Sequence, residues 1–379
     1  MTQPLEISIF PLGEGMAFDE AREIWREAER LGFPAIWHED NVFPHPTELL
    51  DRRTPILDCW TALSALAAST STIRLGSMVS PAPRRHPALL ARAASTVDHV
   101  SGGRLTIGIG AGDPTTVEHY TQWGLPFPET PRERVALLRE HLQVQKLLYT
   151  EDVSNFDGEY FSLHDAVNNP KPLQQPHPPI WIGLNTSAVV MPRVAAELAD
   201  GVIVEWGDDE VAAQVVPRLV EACERHDRDP AEVTAARHLG VVITDGDTPT
   251  EQVFEELAVR SGMYEPRLLE TTWETWLGAI VGPPGTIVER LHARTTELGF
   301  THALLHILSL GFESDAGGLG GVPGSTFAGM RQLAGELVLE PKALVRLPNA
   351  SSSGSRPSRS GRPTSGGSRP GTGTCSGSG

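Results

Sequence analysis

Cysteine is scarce in this chain: Cys59, Cys223 and Cys375 are the whole complement of 379 residues, odd in number and in no metal-ligand spacing. That argues against a disulfide framework and a zinc site, and it suits a reducing compartment. A basic surplus is lacking as well. Lys+Arg 31 against Asp+Glu 48 leaves a net charge of −17, which disfavours nucleic acid or an anionic membrane surface as the main partner. No apolar run approaches the roughly 18 residues that cross a bilayer, and the N-terminal MTQPLEISIF places no basic segment ahead of an apolar one. The sequence therefore predicts a cytoplasmic protein with a small-molecule partner, no nucleic acid and no membrane. An anionic ligand stays compatible with this, because a pocket can be locally positive on an acidic protein.

What is present is a hydrophobic fraction of 40%, enough for a globular core. The composition shifts near Pro348 to SSSGSRPSRSGRPTSGGSRPGTGTCSGSG, which has almost nothing apolar to offset its ordering entropy. We read residues 1–347 as one folded domain and 348–379 as a disordered tail rich in Ser, Gly, Arg and Pro. The tail's four Arg and no acid allow weak anion binding, but a solvated extension accounts for them equally well.

The stretch Ile73–Gly112 organises the rest. A strand-like run, Ile73–Val79, turns through a Pro- and Arg-rich corner into a helix from Pro87 to about His99, broken at Gly102-Gly103, and Leu105–Gly110 follows as a second strand. This is a βαβ crossover. Before it, Leu5–Phe10 reads as a buried strand, Phe18–Leu31 as an amphipathic helix stopped by Gly32, Ala35-Ile36-Trp37 as a short strand, and Leu57–Ala68 as a helix. After it, Asp113–Glu129 reads as a long irregular loop, and the capping box Thr130-Pro131-Arg132-Glu133 opens a helix running to about Tyr149. Phe156–Leu163 resembles a hairpin.

Further strands are expected at Ile180–Gly183, Gly201–Val204, Gly240–Ile243 within Val233–Thr244, and His302–Leu308. Helices are expected at Ser187–Leu198, Asp209–Arg225, Pro249–Arg260, after Thr286, and at Phe327–Leu339. Ser261–Gly282, with Tyr264, Trp273 and Trp276, reads as an irregular insertion. Short strands rich in Ile, Val and Leu alternating with helices eight times point to a (β/α)8 TIM barrel with insertion segments. A doubly wound open sheet is the alternative. Gly108-Ile109-Gly110-Ala111-Gly112 is not its dinucleotide fingerprint, since the last glycine of GxGxxG would have to stand where Asp113 does.

In such a barrel the polar strand ends converge on one mouth. These are His38, Glu39, Asp40 and Asn41 after strand two, Ser77 after strand three, Asp113 past strand four, Asn185, Thr186 and Ser187 after strand five, Glu205 after strand six, and His306 and Ser309 in strand eight. The set has no metal-ligand order, no GxSxG and no Cys/His pair. Acids and neutral donors without a nucleophile suit a site where a cofactor performs the chemistry. Other readings exist for several: Glu205 can cap the following helix, His38 can be a satisfied strand-end side chain, and Asn185-Thr186-Ser187 caps a helix whose N–H groups can also bind phosphate.

The run IRLGSMVSPAPRRHPALLARAASTVDHVSGGRLTIGIGAG strongly resembles the bacterial luciferase-like superfamily of flavin- and deazaflavin-dependent oxidoreductases. GFPAIWHEDN, FDGEYFSL, PPIWIGLNTSAVVMPRVAAELADGVIV and VGPPGTIVERL extend the resemblance over about residues 5–340. It implies a luciferase-like TIM barrel, a ring system bound at the C-terminal mouth, and a homodimer. The HPALLAR helix and the acid ending strand two are most similar to the branch that uses coenzyme F420, a deazaflavin.

On that resemblance a ring-supporting non-prolyl cis peptide falls at Ser77-Met78. Asp40 and Asp113 are the acids at the ring edge, and Gly183–Ser187 is the phosphate loop. Asn41 stands where several members have His, so His38 or His306 becomes the general acid; Leu184-Asn185 replaces paired glycines. The catalytic candidates are His38, Asp40, Asp113 and His306. The cofactor-binding candidates are Asp40, Asn41, Ser77, Met78, Asp113, Gly183, Asn185, Thr186 and Ser187.

The implied activity is hydride transfer between coenzyme F420 and a small organic substrate. The alternatives are an FMN-dependent monooxygenase of the same fold and a non-catalytic flavin-binding protein. Asp113–Glu129 and Ser261–Gly282, with Trp123, Trp273 and Trp276, would shape the substrate pocket or serve as lid packing.

Overall fold

The computed structural model describes residues 5–11, 13, 15–43, 53–184, 189–205, 209–253, 255, 278–309 and 329–336. Eight parallel strands form its frame: β1 Glu6–Ile9, β2 Ala35–His38, β3 Arg74–Ser77, β4 Leu105–Gly110, β5 Ile180–Leu184, β6 Gly201–Val204, β7 Thr234–Ile243 and β8 His302–Ser309. Each pairs with the next, from Ile9↔Ile36 and Ile36↔Leu75 through Ile182↔Val202 to Leu239↔Leu305. The register Ile7↔Ala303 then joins β8 back to β1 and closes the ring. The barrel reading holds and the open sheet is excluded.

Alternation along the strands builds two separate cores. Ile7, Ile9, Ile36, Leu75, Ile107, Ile182, Val202 and Leu239 point outward, into the main apolar cluster shared with the helices. Phe10, Trp37, Met78, Trp181, Ile203, Ala236 and Leu304 fill the barrel interior, with Val79 packed against them. The Trp37 and Trp181 rings lie 5.1 Å apart there, tilted by 35°.

The helices are α1 Phe18–Arg30, α2 Cys59–Ser69, α3 Pro87–Ser101, α4 Pro131–Thr150, α5 Met191–Leu198, α6 Asp209–Arg225 and α7 Pro284–Thr295. Local chemistry sets their ends. The His86 side chain caps the start of α3, and Gly102 ends it in the left-handed region at φ 70°. Thr130 and Glu133 form the anticipated capping box of α4. Arg104, just past α3, donates to the carbonyls of Ala67, Thr70 and Ile73, which ties the end of α2 to the start of β3.

Several boundaries differ from expectation. Helix α5 starts at Met191 and not at Ser187, with Val189 and Val190 in a turn and Val190 as its N-cap; the anticipated cap, Asn185-Thr186-Ser187, lies outside the described residues. Pro192 suits the late start, since proline is best tolerated in a helix's first turn. The Asp113–Glu129 loop is not featureless: it holds a 3₁₀ turn, Pro114–Thr116, and a short helix, Glu118–Thr121.

The anticipated hairpin is present as Ser154–Asp157 against Ser162–Ala166. Its tip amides at Glu159, Tyr160 and Phe161 all donate to Glu140 of α4. Within Ser261–Gly282, Ile280–Gly282 is a strand alongside β7; Tyr264, Trp273 and Trp276 lie outside the described residues, as does the tail. No helix among the described residues is long and apolar enough to cross a membrane.

Candidate active site

The floor of the mouth is built by β3, β4 and β5. The Ser77 hydroxyl donates to the Gly108 carbonyl at 2.9 Å and accepts from the Gly108 N–H at 3.0 Å. This keeps Ser77 inside the strand. The cis peptide accordingly falls at Met78–Val79, one bond beyond the expected Ser77-Met78. The Met78 N–H donates to the His38 carbonyl at 2.8 Å, which ties the segment to β2. Met78 itself is buried in the interior cluster beside Trp37 and Trp181.

Glycines leave the main chain bare around this point. A Cβ on Gly108 would lie 2.0 Å from the Ser77 carbonyl oxygen, so close approach alone requires glycine there. A Cβ on Gly110 would lie 2.9 Å from Val79, and one on Gly183 would lie 2.9 Å from Val79 and 2.3 Å from Glu205 Oε1. Val79 and the Glu205 carboxylate thus share the space in front of Gly183.

The strand-two acid is not a free group. Arg85 donates two parallel bonds to Asp40, at 2.8 and 2.7 Å, and the Ser80 hydroxyl donates a third at 2.7 Å. Arg84 lies 3.0 Å away, and both Arg84 and Asp40 are buried. Ser80 in turn accepts from Trp60 Nε1 at 2.9 Å, while Arg85 also holds Asp58, the cap of α2, at 2.7 Å. This network links β2, α2 and the β3–α3 corner. Beside it, the Asn41 amide donates to Glu39 Oε2 at 3.1 Å.

His38 is buried, with Nδ1 at 2.8 Å from the Glu39 carbonyl. Burial holds the imidazole below its ordinary value against the pull of that carbonyl and of Asp40. The ring is therefore neutral near pH 7, with its proton on Nδ1 facing the carbonyl. His306 is also buried; it stacks on Phe10 at 4.3 Å and stands 4.7 Å from His238. Burial pushes His306 down to about 3, with the Phe10 backbone opposing, and pushes His238 down, helped by His306. Neither arrangement stores a proton for donation at neutral pH.

Asp113 caps the 3₁₀ turn, accepting from the Thr115 N–H at 2.8 Å and the Thr115 hydroxyl at 2.7 Å. Glu205, at the end of β6, has a covered Oε1 with no hydrogen-bond partner among the described residues. Burial, and then the charge of Asp113, raise it to about 7.

Of the strand-end residues that the sequence singled out, His38, Glu39, Asp40, Asn41, Ser77, Asp113 and Glu205 stand at or just past the ends of β2, β3, β4 and β6, and His306 lies within β8. Asn185, Thr186 and Ser187 lie outside the described residues. Arg84, Arg85, His238 and Phe10 were missed. The inward alternation Ala236, His238 in β7 was the available signal for one of them.

The family model described as luciferase-like monooxygenase matches residues 4–302. An F420-dependent glucose-6-phosphate dehydrogenase of Kineococcus radiotolerans is 29% identical over 325 residues, covering 80% of this chain and 91% of its own. Among solved structures, the coenzyme F420-dependent tetrahydromethanopterin reductase of Methanopyrus kandleri superposes with a TM-score of 0.67 at 20% identity, covering 88% of this chain and 99% of its own. A monooxygenase of Streptomyces bottropensis gives the same TM-score of 0.67 at 18% identity, covering 88% and 99%. The shared backbone therefore does not separate the two chemistries.

Proposed function

Because the chain belongs to the luciferase-like monooxygenase family, we propose that it is an oxidoreductase moving hydride between coenzyme F420 and a small organic substrate. The observation that carries the choice of cofactor is the likeness to F420-dependent glucose-6-phosphate dehydrogenases along nearly their whole length. We read the chain further as a cytoplasmic homodimer; light scattering of the purified protein checks the dimer.

The residues at the mouth fit a flat ring. Gly108, Gly110 and Gly183 let Ser77, Val79 and the Glu205 carboxyl close up against bare main chain, and a covered Glu205 oxygen with no hydrogen-bond partner among the described residues lies beside them. When bound, the deazaflavin supplies a carbon centre that accepts or gives hydride. Met78 and Val79 would lie beneath it. Ser77 fixes them through Gly108, Asn41 and Asp113 are the polar groups for the ring edge, and Gly183 opens the phosphate segment with Asn185, Thr186 and Ser187. Asp40 acts by position: its arginine and serine bonds hold the end of β2 against the β3–α3 corner.

The test is direct binding. F420 and FMN are each titrated into the purified chain and followed by fluorescence, with oxygen uptake monitored in parallel. Tight F420 binding without oxygen uptake is the expected result. Tight FMN binding with oxygen consumption would assign the monooxygenase chemistry instead.

A further inference from the structure

We infer that Glu205 is the catalytic acid–base of this barrel: the group that takes the hydroxyl proton of an alcohol substrate, or returns it to the corresponding carbonyl. The inference rests on the F420 reading above and adds to it a proton carrier.

The geometry singles this carboxyl out. Gly183 stands on the inward side of β5, two residues from Trp181, which belongs to the interior cluster. The point where a Gly183 Cβ would stand is 2.3 Å from Glu205 Oε1 and 2.9 Å from Val79. The carboxyl thus fills the space in front of Gly183, beside Val79 of the floor. Its Oε1 is covered and has no hydrogen-bond partner among the described residues, whereas Asp40 is spent on Arg85 and Ser80 and Asp113 on Thr115. A buried carboxyl without a structural bond is poorly placed to stabilise the fold and well placed to exchange a proton with a bound molecule.

The groups facing it keep it protonatable near neutral pH. Asp113, across from β4, adds negative charge and with burial raises Glu205 to about 7. On β7, Arg237 pairs in register with Val204 but bonds outward to Asp209 of α6 and to the Arg294 carbonyl of α7. The inward side chains of β7 and β8, His238 and His306, are kept uncharged by burial.

The step balances without a further reactant. In oxidation the alcohol C–H bond breaks and its hydride passes to the oxidised deazaflavin, while the O–H bond breaks and its proton passes to ionised Glu205. The products are a carbonyl compound, reduced deazaflavin and a neutral carboxylic acid. Reduction is the reverse.

The first test needs no substrate. The Glu205 carboxyl is followed across pH by infrared difference spectroscopy of the full chain against Glu205→Gln, with and without F420. A carboxylic acid band that titrates near pH 7, is missing in Glu205→Gln, and moves to higher pH when F420 covers it is the expected result. Titration in the ordinary carboxylate range, or titration indifferent to F420, overturns the inference. If FMN binds and F420 does not, the reading above fails by itself, and the band's response to FMN still judges whether Glu205 faces the ring.

The second test compares turnover of 2-propanol and glucose 6-phosphate by the two proteins. Glu205→Gln should lose on the order of 10²–10⁴-fold in kcat and the pH limb near neutrality. Retained kcat with the same pH limb overturns the assignment. Glu205→Asp, which keeps a proton carrier, should recover part of the rate.

Discussion

Ser77 and Gly108 hold one another twice, hydroxyl to carbonyl and amide to hydroxyl, across neighbouring strands of the barrel. The pair does with one side chain what a ladder bond would do where β3 leaves the sheet. Ser77→Ala leaves both main-chain groups of Gly108 buried and unpaired, so it should cost about 1–3 kcal/mol. Gly108→Ala drives a methyl into the Ser77 carbonyl and should cost a comparable amount, about 1–3 kcal/mol, as overpacking. Urea unfolding of the two variants beside the parent measures both.

Asp40→Asn distinguishes a positioning carboxylate from a reacting one. Removing its charge leaves Arg84 buried without its anion and Arg85 with Asp58 alone, a loss of about 3–5 kcal/mol for a broken buried pair. The expected outcome is a marked fall in the denaturation midpoint. A variant as stable as the parent but without turnover would instead give Asp40 a direct chemical part.

His141 of α4 is fully buried, with Nε2 bonded to the Arg85 carbonyl at 2.9 Å. Burial holds it down to about 4, against 6.5 unfolded. The unfolded chain therefore binds the extra proton first. The stability from keeping His141 neutral is complete above about pH 6.5 and is lost as pH falls through about 4, up to about 3 kcal/mol. His141→Gln should flatten that part of the stability profile, as read by unfolding free energies between pH 4 and 7.

Glu205 has the opposite sign. Its folded value of about 7 stands above the unfolded 4.5, so its contribution is favourable below about pH 4.5 and declines as pH rises through 7. At pH 8, Glu205→Gln should be more stable than the parent by up to about 3 kcal/mol, and at pH 4 the two should unfold together. Equal stability at both pH values would remove the buried-acid description.

Frame and interior differed in how far the sequence disclosed them. The strands were readable because residues such as Ile107, Ile182 and Val202 are buried on account of their own chemistry, and β-rich apolar runs between turns have few other uses. The mouth depends on pairings between distant residues. Asp40 looked like a free strand-end acid because Arg84 and Arg85 lie more than forty positions away and reach it only once β2 and β3 are side by side. Glu205 was equally readable as a helix cap; only the missing side chain of Gly183, whose place its carboxyl takes, shows where it goes. The cis peptide was misplaced by one bond for a like reason, since the Ser77–Gly108 contact that keeps Ser77 in the strand joins residues 31 apart.

The glycines around Val79 have a consequence for how this protein can change. A surface made of main chain offers no side chain to exchange: alanine at Gly108 meets backbone, and alanine at Gly183 meets Val79 and Glu205. The ring-bearing half of the site is thereby closed to gradual retuning. Variation in what the barrel accepts is left to the segments around its rim, and libraries that aim at new substrates should diversify the Asp113–Glu129 loop while leaving the floor untouched.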